Sequence, residues 1–236
     1  LQKGISPVNA IVMAGGYGKR LLPLTNETPK PMLPVAGKPI LEHVLENLLQ
    51  SGISNIKITT HYKSEKIEDY FGDGSSRGLN IEYVNEDQPL GTAGALGLIE
   101  PEEQPTLVLN ADILTSVDFQ AMLQFHKEHK AELTVGVREY DVAVPFGVVR
   151  SEGADVTSIE EKPVFSFFVN AGIYLLEPGV IKMVPKQEKL DMPDLIKMLL
   201  ENNRPVRAFP IVEYWLDVGQ HKDYERANNE QEDLRS

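Results

Sequence analysis

The stretch AGGYGKRLLPLTNETPKPMLPVAGKP (residues 14–39) decides the fold, and it follows the short apolar run VNAIVMA (residues 8–14). A nearly continuous apolar run of this length predicts a strand buried on both faces of a sheet. In an open parallel sheet, the loop after the first strand lies at the carboxyl edge, where ligands bind. Gly15, Gly16 and Gly18 let this backbone approach a ligand closely, and successive free N–H groups in such a turn bind anions.

The same stretch is basic within an acidic chain. Four basic residues face a single acidic one: Lys19, Arg20, Lys30 and Lys38 against Glu27. The whole chain of 236 residues contains 23 basic and 35 acidic residues and has a net charge of −12. A basic island of this kind indicates a polyanionic ligand, because Arg20 offers a planar fork for phosphate oxygens and Lys30 a compact charge.

Two common phosphate-binding motifs are excluded in this loop. Met13 stands where the P-loop G-x-x-x-x-G-K-[ST] needs its first glycine, and Arg20 stands where it needs serine or threonine. Leu21 stands where the dinucleotide fingerprint G-x-G-x-x-G needs its third glycine. The glycines alone fit a plain tight turn equally well, and only the neighbouring R-L-x-P-L-T and P-K-P segments make the pattern specific.

Beyond this loop, segments of strand character alternate with segments of helical period. This alternation predicts an α/β fold: a mostly parallel, twisted, Rossmann-like sheet with helices on both faces. After residue 140 the strands shorten, which predicts a smaller β subregion. The predicted strands are 8–14, 55–60, 81–85, 106–110, 133–139, 148–150, 156–161, 169–176, 206–210 and 214–218. The predicted helices are 39–51, 64–71, 92–100, 118–130, 191–201 and one from about 221.

Composition excludes several classes of protein. The acidic balance argues against nonspecific nucleic-acid binding and against anionic membranes. The chain has no cysteine, so disulfides, a thiol nucleophile and cysteine-type zinc sites are impossible. We find neither a signal peptide nor an apolar run long enough for a membrane helix, and we expect a cytoplasmic protein. Because the sequence opens at Leu1, we expect a fragment of a longer chain, with residues 1–7 a linker or an expression remnant.

Further motifs follow the glycine loop in order: LGTAGAL (90–96), LNAD (109–112), EKP (161–163), NAGIY (170–174) and WLDVG (215–219). With the glycine loop they resemble the signature of the sugar-1-phosphate nucleotidyltransferases, the NDP-sugar pyrophosphorylases. The resemblance spans about residues 8–227 and is strongest to the mannose-1-phosphate guanylyltransferase branch. It implies that a nucleoside triphosphate, with GTP favoured, and a sugar 1-phosphate give an NDP-sugar and pyrophosphate with the help of Mg²⁺.

The resemblance also assigns residues through the matching motif positions. It implies that the nucleotide lies on Ala14, Gly15, Gly16, Gly18, Gly91, Thr92, Ala93 and Gly94. It implies catalytic roles for Arg20, Lys30, Asp112, Lys162 and Asp217, with Asp112 and Asp217 as the two metal ligands. It implies that the sugar phosphate lies on Gly147, Glu161, Lys162 and Asn170. One domain, residues 8–236, then divides into a nucleotide-binding half (8–140) and a sugar-phosphate-binding half (141–227).

These assignments have plainer alternatives. Arg20 and Lys30 also fit solvated surface charges, and Asp112 and Asp217 also fit caps of a turn or a helix. The LGTAGAL segment fits a buried helix start made of small residues.

The EKP segment has an alternative as well. Glu161 and Lys162 fit a strand-end ion pair without a ligand. Pro163 biases Lys162 towards extended backbone, from which its side chain reaches a cleft. Elsewhere we interpret His126 and His129 as surface residues. We interpret the aromatic residues Phe165, Phe167, Phe168 and Trp215 as core.

Two other function classes remain open. A glycosyltransferase that uses a finished NDP-sugar would share a similar sheet, but it usually needs an Asp-x-Asp motif, and the sequence contains none. A nucleotide-sensing module would keep the binding residues and lack turnover. The sequence also leaves open a homo-oligomer and a regulatory domain upstream in a longer chain.

Overall fold

A computed structural model describes residues 8–233, with side chains up to residue 230; the linker predicted for residues 1–7 lies outside this range. The described chain contains thirteen strands. They are β1 (Asn9–Met13), β2 (Pro34–Val35), β3 (Lys38–Pro39), β4 (Asn55–Thr60), β5 (Asn80–Asn85), β6 (Thr106–Asn110), β7 (Ile113–Thr115), β8 (Leu133–Ala143), β9 (Gly147–Glu152), β10 (Asp155–Glu161), β11 (Val164–Leu176), β12 (Val206–Pro210) and β13 (Trp215–Asp217).

Seven α-helical segments accompany these strands. They are α1 (Ile40–Gln50), α2 (Ser64–Phe71), α3 (Gly91–Gly94), α4 (Phe119–Glu128), α5 (Pro178–Ile181), α6 (Met192–Glu201) and α7 (His221–Asp233). Short 3₁₀ turns cover Lys19–Leu21, Lys30–Met32, Ser75–Arg77 and Ala95–Leu98. None of the helices in residues 8–233 combines the length and the apolar character that a membrane span requires.

Seven strands form one sheet in the order β12–β8–β11–β6–β1–β4–β5. Strand β1 pairs in parallel with β4 and β6, β4 pairs in parallel with β5, and β8 pairs in parallel with β12. Only β11 runs antiparallel to its neighbours β6 and β8. The predicted mostly parallel sheet is confirmed, and the carboxyl ends of its other six strands share one edge.

Strand β1 shows why the sheet is covered on both faces. Ala10 and Val12 are buried in a cluster with α1, α2 and α4, whereas Ile11 belongs to a second cluster with α3 and α6. Successive side chains of a strand point to opposite faces, so an apolar run without interruption needs helices on both sides. The predicted helices on both faces are confirmed.

A third, smaller cluster fixes the glycine loop against the end of the chain. Leu21 and Leu33 from the loop pack with Leu114 of β7 and with Leu216 and Val218 around β13. Strands β7 and β13 pair antiparallel, so residues 113–115 and 215–217 lie side by side. This packing brings the loop, the end of β6 and the WLDVG segment to one place.

Several predicted boundaries differ from the structure. The helix predicted for residues 92–100 is α3 followed by a 3₁₀ turn at Ala95–Leu98. Strands β8 and β11 are longer than predicted, because they continue beyond the sheet as a two-stranded ribbon. The short strand β7 was not predicted, since three residues carry too little periodicity to be read from the sequence.

The interpretation of His126 as a surface residue is wrong. Its side chain lies on the buried face of α4, with Nδ1 2.8 Å from the Thr134 hydroxyl and Nε2 3.2 Å from a Glu177 carboxylate oxygen. Burial lowers the pKa of His126 from its ordinary value of 6.5, and the neighbouring Glu177 opposes that shift. His129, three residues later, is exposed as predicted.

We expect His126 to make folding stability depend on pH. Because its pKa is lowered in the folded chain, the unfolded chain binds this proton first as the pH falls below about 6.5. The stability contribution is therefore full above that pH and is lost as the pH falls towards the folded pKa. Urea unfolding at a series of pH values measures the free energy of unfolding of wild type and of His126→Gln. The difference between these two free energies should become smaller as the pH falls. The exposed control His129→Gln should keep the wild-type profile, and a parallel profile for His126→Gln would contradict this account.

The prediction that the aromatic residues after Pro163 lie in the core is wrong for Phe167 and Phe168. Phe167 is 56% exposed and Phe168 is 68% exposed. Trp215, in contrast, packs against the main core and donates its indole N–H to the Ala171 carbonyl at 2.9 Å. Phe167 and Phe168 do lie in a strand, as their apolar pattern predicts. In this part of the strand, however, β11 pairs only with β8 and lies beyond the main sheet.

Candidate active site

A cleft of about 540 Å³ opens at the carboxyl edge of the sheet. The ends of β1 and β6, the glycine loop and the segment after β13 form its walls. The lining includes Ala14, Gly15, Gly16, Gly18, Arg20, Lys30, Glu86, Gly91, Thr92, Asn110, Asp112, Asp217 and Gly219. The structure thus brings together most of the residues that the sequence assigns to nucleotide binding and catalysis.

Two glycines of the loop lie very close to neighbouring side chains. Gly18 has φ +63°, and a Cβ there would lie 2.9 Å from the Thr25 side chain and 3.0 Å from that of Lys30. A Cβ on Gly15 would collide with the Glu86 carboxylate. The loop therefore packs directly against these side chains, and at Gly18 the positive φ also favours glycine.

Lys30 is a buried cation rather than a solvated surface charge. It begins the 3₁₀ turn Lys30–Met32 between Pro29 and Pro31, and the residue is 8% exposed. Its ammonium group pairs with Asp112 Oδ2. Prolines on both sides limit the backbone conformations available, so Lys30 is presented with little freedom to move away.

Asp112 and Asp217 lie on neighbouring segments, and each has an oxygen without a hydrogen-bond partner. Asp217 pairs in register with Ile113, and Val218 N donates to the Asp112 carbonyl at 3.0 Å, which keeps the two residues adjacent. Asp112 Oδ1 and Asp217 Oδ1 are both buried, and neither has a hydrogen-bond partner. Such groups are costly in a folded protein and are normally satisfied.

The pKa of Asp217 is raised, first by burial and then by the negative charge of Asp112. Lys30 and Arg20 act in the opposite direction. The capping alternative does not account for Asp217, because Asp223 Oδ2 accepts from Gln220 N at the start of α7. Two partly buried carboxylates, each with a buried unpartnered oxygen, form a donor set that suits a hard divalent cation.

The protein supplies only part of such a coordination shell. Within residues 8–233 there is no group of three or more histidine, cysteine, aspartate or glutamate side chains that could hold a metal ion. A cation that keeps several waters and binds phosphate oxygens needs only one or two carboxylates from the protein. The arrangement therefore fits a metal that binds together with a phosphorylated ligand.

Arg20 lies close enough to Asp217 to act on its charge. It is exposed on the 3₁₀ turn Lys19–Leu21, and its guanidinium passes over Gly219, where a Cβ would lie 3.6 Å from Nη1. Lys19 also lines the cleft, and its ammonium group lies over the Tyr17 ring, 5.4 Å from the centroid. The cleft thus presents three cations, Lys19, Arg20 and Lys30, and the last two act on the Asp217 carboxylate.

The LGTAGAL segment is only partly in the cleft. Gly91 and Thr92 line it, whereas Ala93 and Gly94 are buried, and their N–H groups both donate to the Leu190 carbonyl. A Cβ on Gly94 would lie 2.6 Å from the Glu188 carbonyl oxygen. For these two residues the structure supports the helix-packing alternative rather than ligand contact.

Helices α3 and α6 cap each other at their first turns. Asp191, which precedes α6, accepts from Thr92 N at 3.0 Å, and the Thr92 hydroxyl accepts from Met192 N at 2.8 Å. The N–H groups in the first turn of a helix have no acceptor within that helix. Here each of these two N–H groups donates to a side chain from the other segment. This exchange fixes the Gly91–Thr92 wall of the cleft to the residues that begin α6.

A second cavity, of about 380 Å³, adjoins the cleft. It shares Thr92, Asn110 and Asp217 with the cleft. Its other lining residues include Asn170, Gly172, Tyr174, Asp191 and Trp215. Of the residues assigned to the sugar phosphate, Asn170 is therefore placed beside the carboxylate pair.

Gly147, Glu161 and Lys162 are not brought into either cavity. They lie at the base of the β9–β10 hairpin, where Gly147 pairs with Glu161, and all three are exposed. The extended backbone predicted for Lys162 is wrong: its φ is +48°, and its N–H donates to the Phe146 carbonyl at 3.3 Å. The short connection from β10 to β11 at residues 162–163 overrides the bias from Pro163.

Sequence reasoning missed several lining residues, above all Glu86. This side chain is 7% exposed, and its Oε2 accepts from Leu90 N at 2.9 Å. Burial raises the pKa of Glu86, and the bond from Leu90 N opposes that shift. The sequence did contain an indication that Glu86 lines the cleft. Glu86 directly follows β5, and Asp112 follows β6 at the same edge of the sheet.

Fold and site together define an α/β protein with basic side chains and two aspartates gathered in one cleft at the carboxyl edge of its sheet. The chain belongs to the nucleotidyl transferase family, whose model matches residues 9–233. Members of this family generally use a divalent metal.

The chain is 34% identical over 230 residues to a mannose-1-phosphate guanylyltransferase of Mycobacterium tuberculosis, covering 94% of this chain and 64% of that protein. It is 33% identical to the mannose-1-phosphate guanylyltransferase catalytic subunit beta of Drosophila pseudoobscura pseudoobscura, covering 91% of this chain and 60% of that protein. The chain thus spans about six tenths of the length of these curated relatives.

Among solved structures, HddC from Yersinia pseudotuberculosis complexed with GMP-PN has the same fold. The TM-score is 0.74 at 26% sequence identity, and the match covers 95% of this chain and 99% of that chain. The sheet and its covering helices are therefore shared over almost the whole chain.

Proposed function

We propose that this chain transfers a nucleotidyl group from a nucleoside triphosphate to a sugar 1-phosphate and releases pyrophosphate. The observation that carries the proposal is the convergence of Arg20, Lys30 and two carboxylates with unpartnered oxygens in one cleft, beside a second cavity. Both proposed reactants are anions. The cleft holds cations and a candidate metal site, which would offset the repulsion between the two reactants. The names of the relatives support the same reaction class.

The reaction needs no general base. A phosphate monoester is largely doubly ionised at neutral pH, so its oxygen is already nucleophilic. This oxygen forms a bond to the α-phosphorus, and the bond from that phosphorus to the oxygen bridging to the β-phosphate breaks. The electron pair leaves with pyrophosphate, and no proton has to move. The protein must align the reactants in line and offset their repulsion.

The residues of the cleft supply these two requirements. The glycine loop would bind the triphosphate through backbone N–H groups, and Arg20 and Lys30 would stabilise the charge that builds up on pyrophosphate. Asp112 and Asp217 would hold Mg²⁺, which supplies charge neutralisation to phosphate oxygens when it is bound.

For the sugar phosphate we propose the second cavity, with Asn170 in its wall. Glu161 and Lys162 would contribute from the β9–β10 hairpin, which has to move towards the cleft for them to reach the sugar phosphate. The nucleotide half (8–140) and the sugar-phosphate half (141–227) would then meet at the carboxylate pair. This division is supported by the cavity, whose lining comes from both sides of residue 140.

We propose guanine as the preferred base. Guanine presents two neighbouring donors, N1–H and the 2-amino group, and a carboxylate accepts from both in the way that it accepts from an arginine fork. Glu86 is the buried carboxylate at the base of the cleft, and its position after β5 places it beside the glycine loop. The guanylyltransferase names of the relatives point to the same base.

Pyrophosphate release with GTP, UTP, CTP and TTP, each with mannose 1-phosphate, tests the base and the role of Glu86. We expect the highest kcat/KM with GTP. Glu86→Gln should lower kcat/KM for GTP by roughly 10- to 100-fold, because a charge-assisted bond to a buried group is lost, and should change the UTP value far less. The control Asp87→Asn, an exposed carboxylate one residue later, should leave the preference intact. An unchanged GTP-to-UTP ratio in Glu86→Gln would exclude Glu86 as the base-reading residue.

A further inference from the structure

The third cation of the cleft, Lys19, has no acidic partner among the described side chains. It lines the cleft together with Arg20 and Lys30. Lys30 pairs with Asp112, and Arg20 acts on the charge of Asp217. Lys19, in contrast, forms no ion pair with any carboxylate in the part of the chain whose side chains are described. Its charge is therefore available to an anionic ligand.

The ring of Tyr17 supports the Lys19 ammonium group at the cleft. Lys19 Nζ lies 5.4 Å from the centroid of this ring, within the distance of about 6 Å at which a ring face attracts a cation. Tyr17 also lines the cleft. A lysine side chain is a long, flexible stem, and an aromatic ring beneath its ammonium group favours the conformations that keep the charge beside the ring. Lys19 is therefore held where its charge faces the cleft.

Two residues that directly follow strands fix Tyr17 in turn: His61 after β4 and, through it, Glu86 after β5. His61 Nδ1 donates to the Glu86 carbonyl at 2.8 Å, because a carbonyl oxygen only accepts. The other ring nitrogen, Nε2, then accepts from the Tyr17 hydroxyl at 3.0 Å. The rings of Tyr17 and His61 also meet edge to face, with their centroids 5.5 Å apart. The ring that carries Lys19 is thus tied to the residue that is assigned above to the base.

A second lysine on a tyrosine ring shows what distinguishes Lys19. Lys63 Nζ lies 5.5 Å from the centroid of Tyr62, and this ring is the neighbour of Tyr17 at 5.4 Å. The Lys63 ammonium group pairs with the Glu27 carboxylate at 3.1 Å, and Lys63 lines neither cavity. The described part of the chain offers no such partner to Lys19. Of these two similar pairs, only the one at the cleft therefore has its charge open to a ligand.

The position of Lys19 favours the nucleoside triphosphate over the sugar phosphate as its ligand. The second cavity, proposed above for the sugar phosphate, has neither Lys19 nor Tyr17 in its lining. The two cavities share Asp217, where the α-phosphate would receive the attacking oxygen. A cation that lines only the first cavity and does not pair with the aspartates therefore suits the β- and γ-phosphates, which leave as pyrophosphate.

We propose that Lys19 binds the β- and γ-phosphates of the triphosphate, and that Tyr17, fixed by His61, is the positioning residue that keeps the Lys19 ammonium group at the cleft. This role rests on the nucleotidyl transfer proposed above. Lys19 moves no proton in it. Its ammonium group donates charge-assisted hydrogen bonds to oxygens whose negative charge grows as the bond to the α-phosphorus breaks.

Pyrophosphate binding, measured by isothermal titration calorimetry with Mg²⁺ present, tests Lys19 without depending on the base or on turnover. Lys19→Gln should raise the Kd of pyrophosphate about 10-fold, because a charge-assisted contact to a phosphate is lost. The Kd of GMP, which lacks the outer phosphates, should not change. Lys63→Gln is the matched control and should bind pyrophosphate as wild type does.

Three results would overturn the role of Lys19 alone. They are an unchanged Kd of pyrophosphate in Lys19→Gln, an equal rise in Lys63→Gln, and an equal loss of affinity for GMP in Lys19→Gln. A wild type that binds no pyrophosphate would overturn this role and would also contradict the proposed nucleotidyl transfer.

A double-mutant cycle tests the positioning role of Tyr17. Tyr17→Leu removes the ring and should raise the Kd of pyrophosphate about 3-fold, the effect of losing an exposed cation–π contact. The same substitution in the Lys19→Gln background should have no further effect, because Tyr17 acts through Lys19. Tyr17→Phe keeps the ring and loses its bond to His61, and it provides the same cycle with a smaller effect if circular dichroism shows that Tyr17→Leu is unfolded. An equal loss in both backgrounds would mean that Tyr17 acts without Lys19 and would overturn its positioning role.

Discussion

Asp112→Asn is expected to lower kcat by about 10³-fold, because it removes the carboxylate that pairs with Lys30 and offers a free oxygen to a cation. The substitution keeps the shape of the side chain, so far-ultraviolet circular dichroism should show a folded chain. The melting temperature should fall, because Lys30 is left as a buried charge without its partner. Steady-state pyrophosphate release measures the effect. Asp118→Asn is the matched control, since that carboxylate only caps α4 through the N–H groups of Gln120 and Ala121.

The same variant separates metal binding from activity. The unpartnered oxygens of Asp112 and Asp217 lie buried near one another, so Mg²⁺ with a nucleoside triphosphate should raise the melting temperature of wild type. Asp112→Asn and Asp217→Asn should lose most of that shift. Full turnover in Asp112→Asn, or full wild-type turnover in excess EDTA, would falsify the assignment of these aspartates.

Lys30→Met is expected to lower kcat by about 10²- to 10³-fold, since it removes a buried cation from the cleft in which we propose that the phosphates bind. It should also destabilise the fold by roughly 3 kcal/mol, because Asp112 is left as a partly buried charge without its partner. The side chains of this pair are 10% and 22% exposed, so water offsets little of the loss. Urea unfolding and pyrophosphate release measure the two effects separately.

The double variant Lys30→Met, Asp112→Asn distinguishes stability from catalysis. It leaves no unpaired charge, so it should recover most of the stability that Lys30→Met loses and none of the activity. A non-additive stability effect of this kind is expected for residues in direct contact. Recovery of turnover together with stability would mean that Lys30 acts only by holding the fold.

The sequence predicts best what depends on neighbouring residues along the chain. The apolar run of β1 and the period of α1 determine those elements locally, and the order of strands places Asp112 at the carboxyl edge. The position of Asp217 depends on the long-range pairing of β13 with β7. In the sequence, only the resemblance of its motif indicated that Asp217 belongs to the site.

The failures arise where tertiary packing decides. The positions of Ala93 and Gly94 depend on the segment before α6, about 100 residues away in sequence, so no local pattern shows that they face it. Phe167 and Phe168 carry the pattern of a buried strand, yet the ribbon extends past the helices that would cover it. His126 is buried because Thr134 and Glu177 from other elements surround it.

The most direct test of the account follows pyrophosphate with purified chain, Mg²⁺, GTP and mannose 1-phosphate, then repeats the assay with each reactant left out in turn. We predict release only when nucleotide, sugar phosphate and divalent ion are all present, with the new NDP-sugar formed in equal amount. Nucleotide binding without any release would indicate a sensing module. Sugar transfer from a supplied NDP-sugar would indicate a glycosyltransferase, and either result would contradict the proposed transfer at the carboxylate pair.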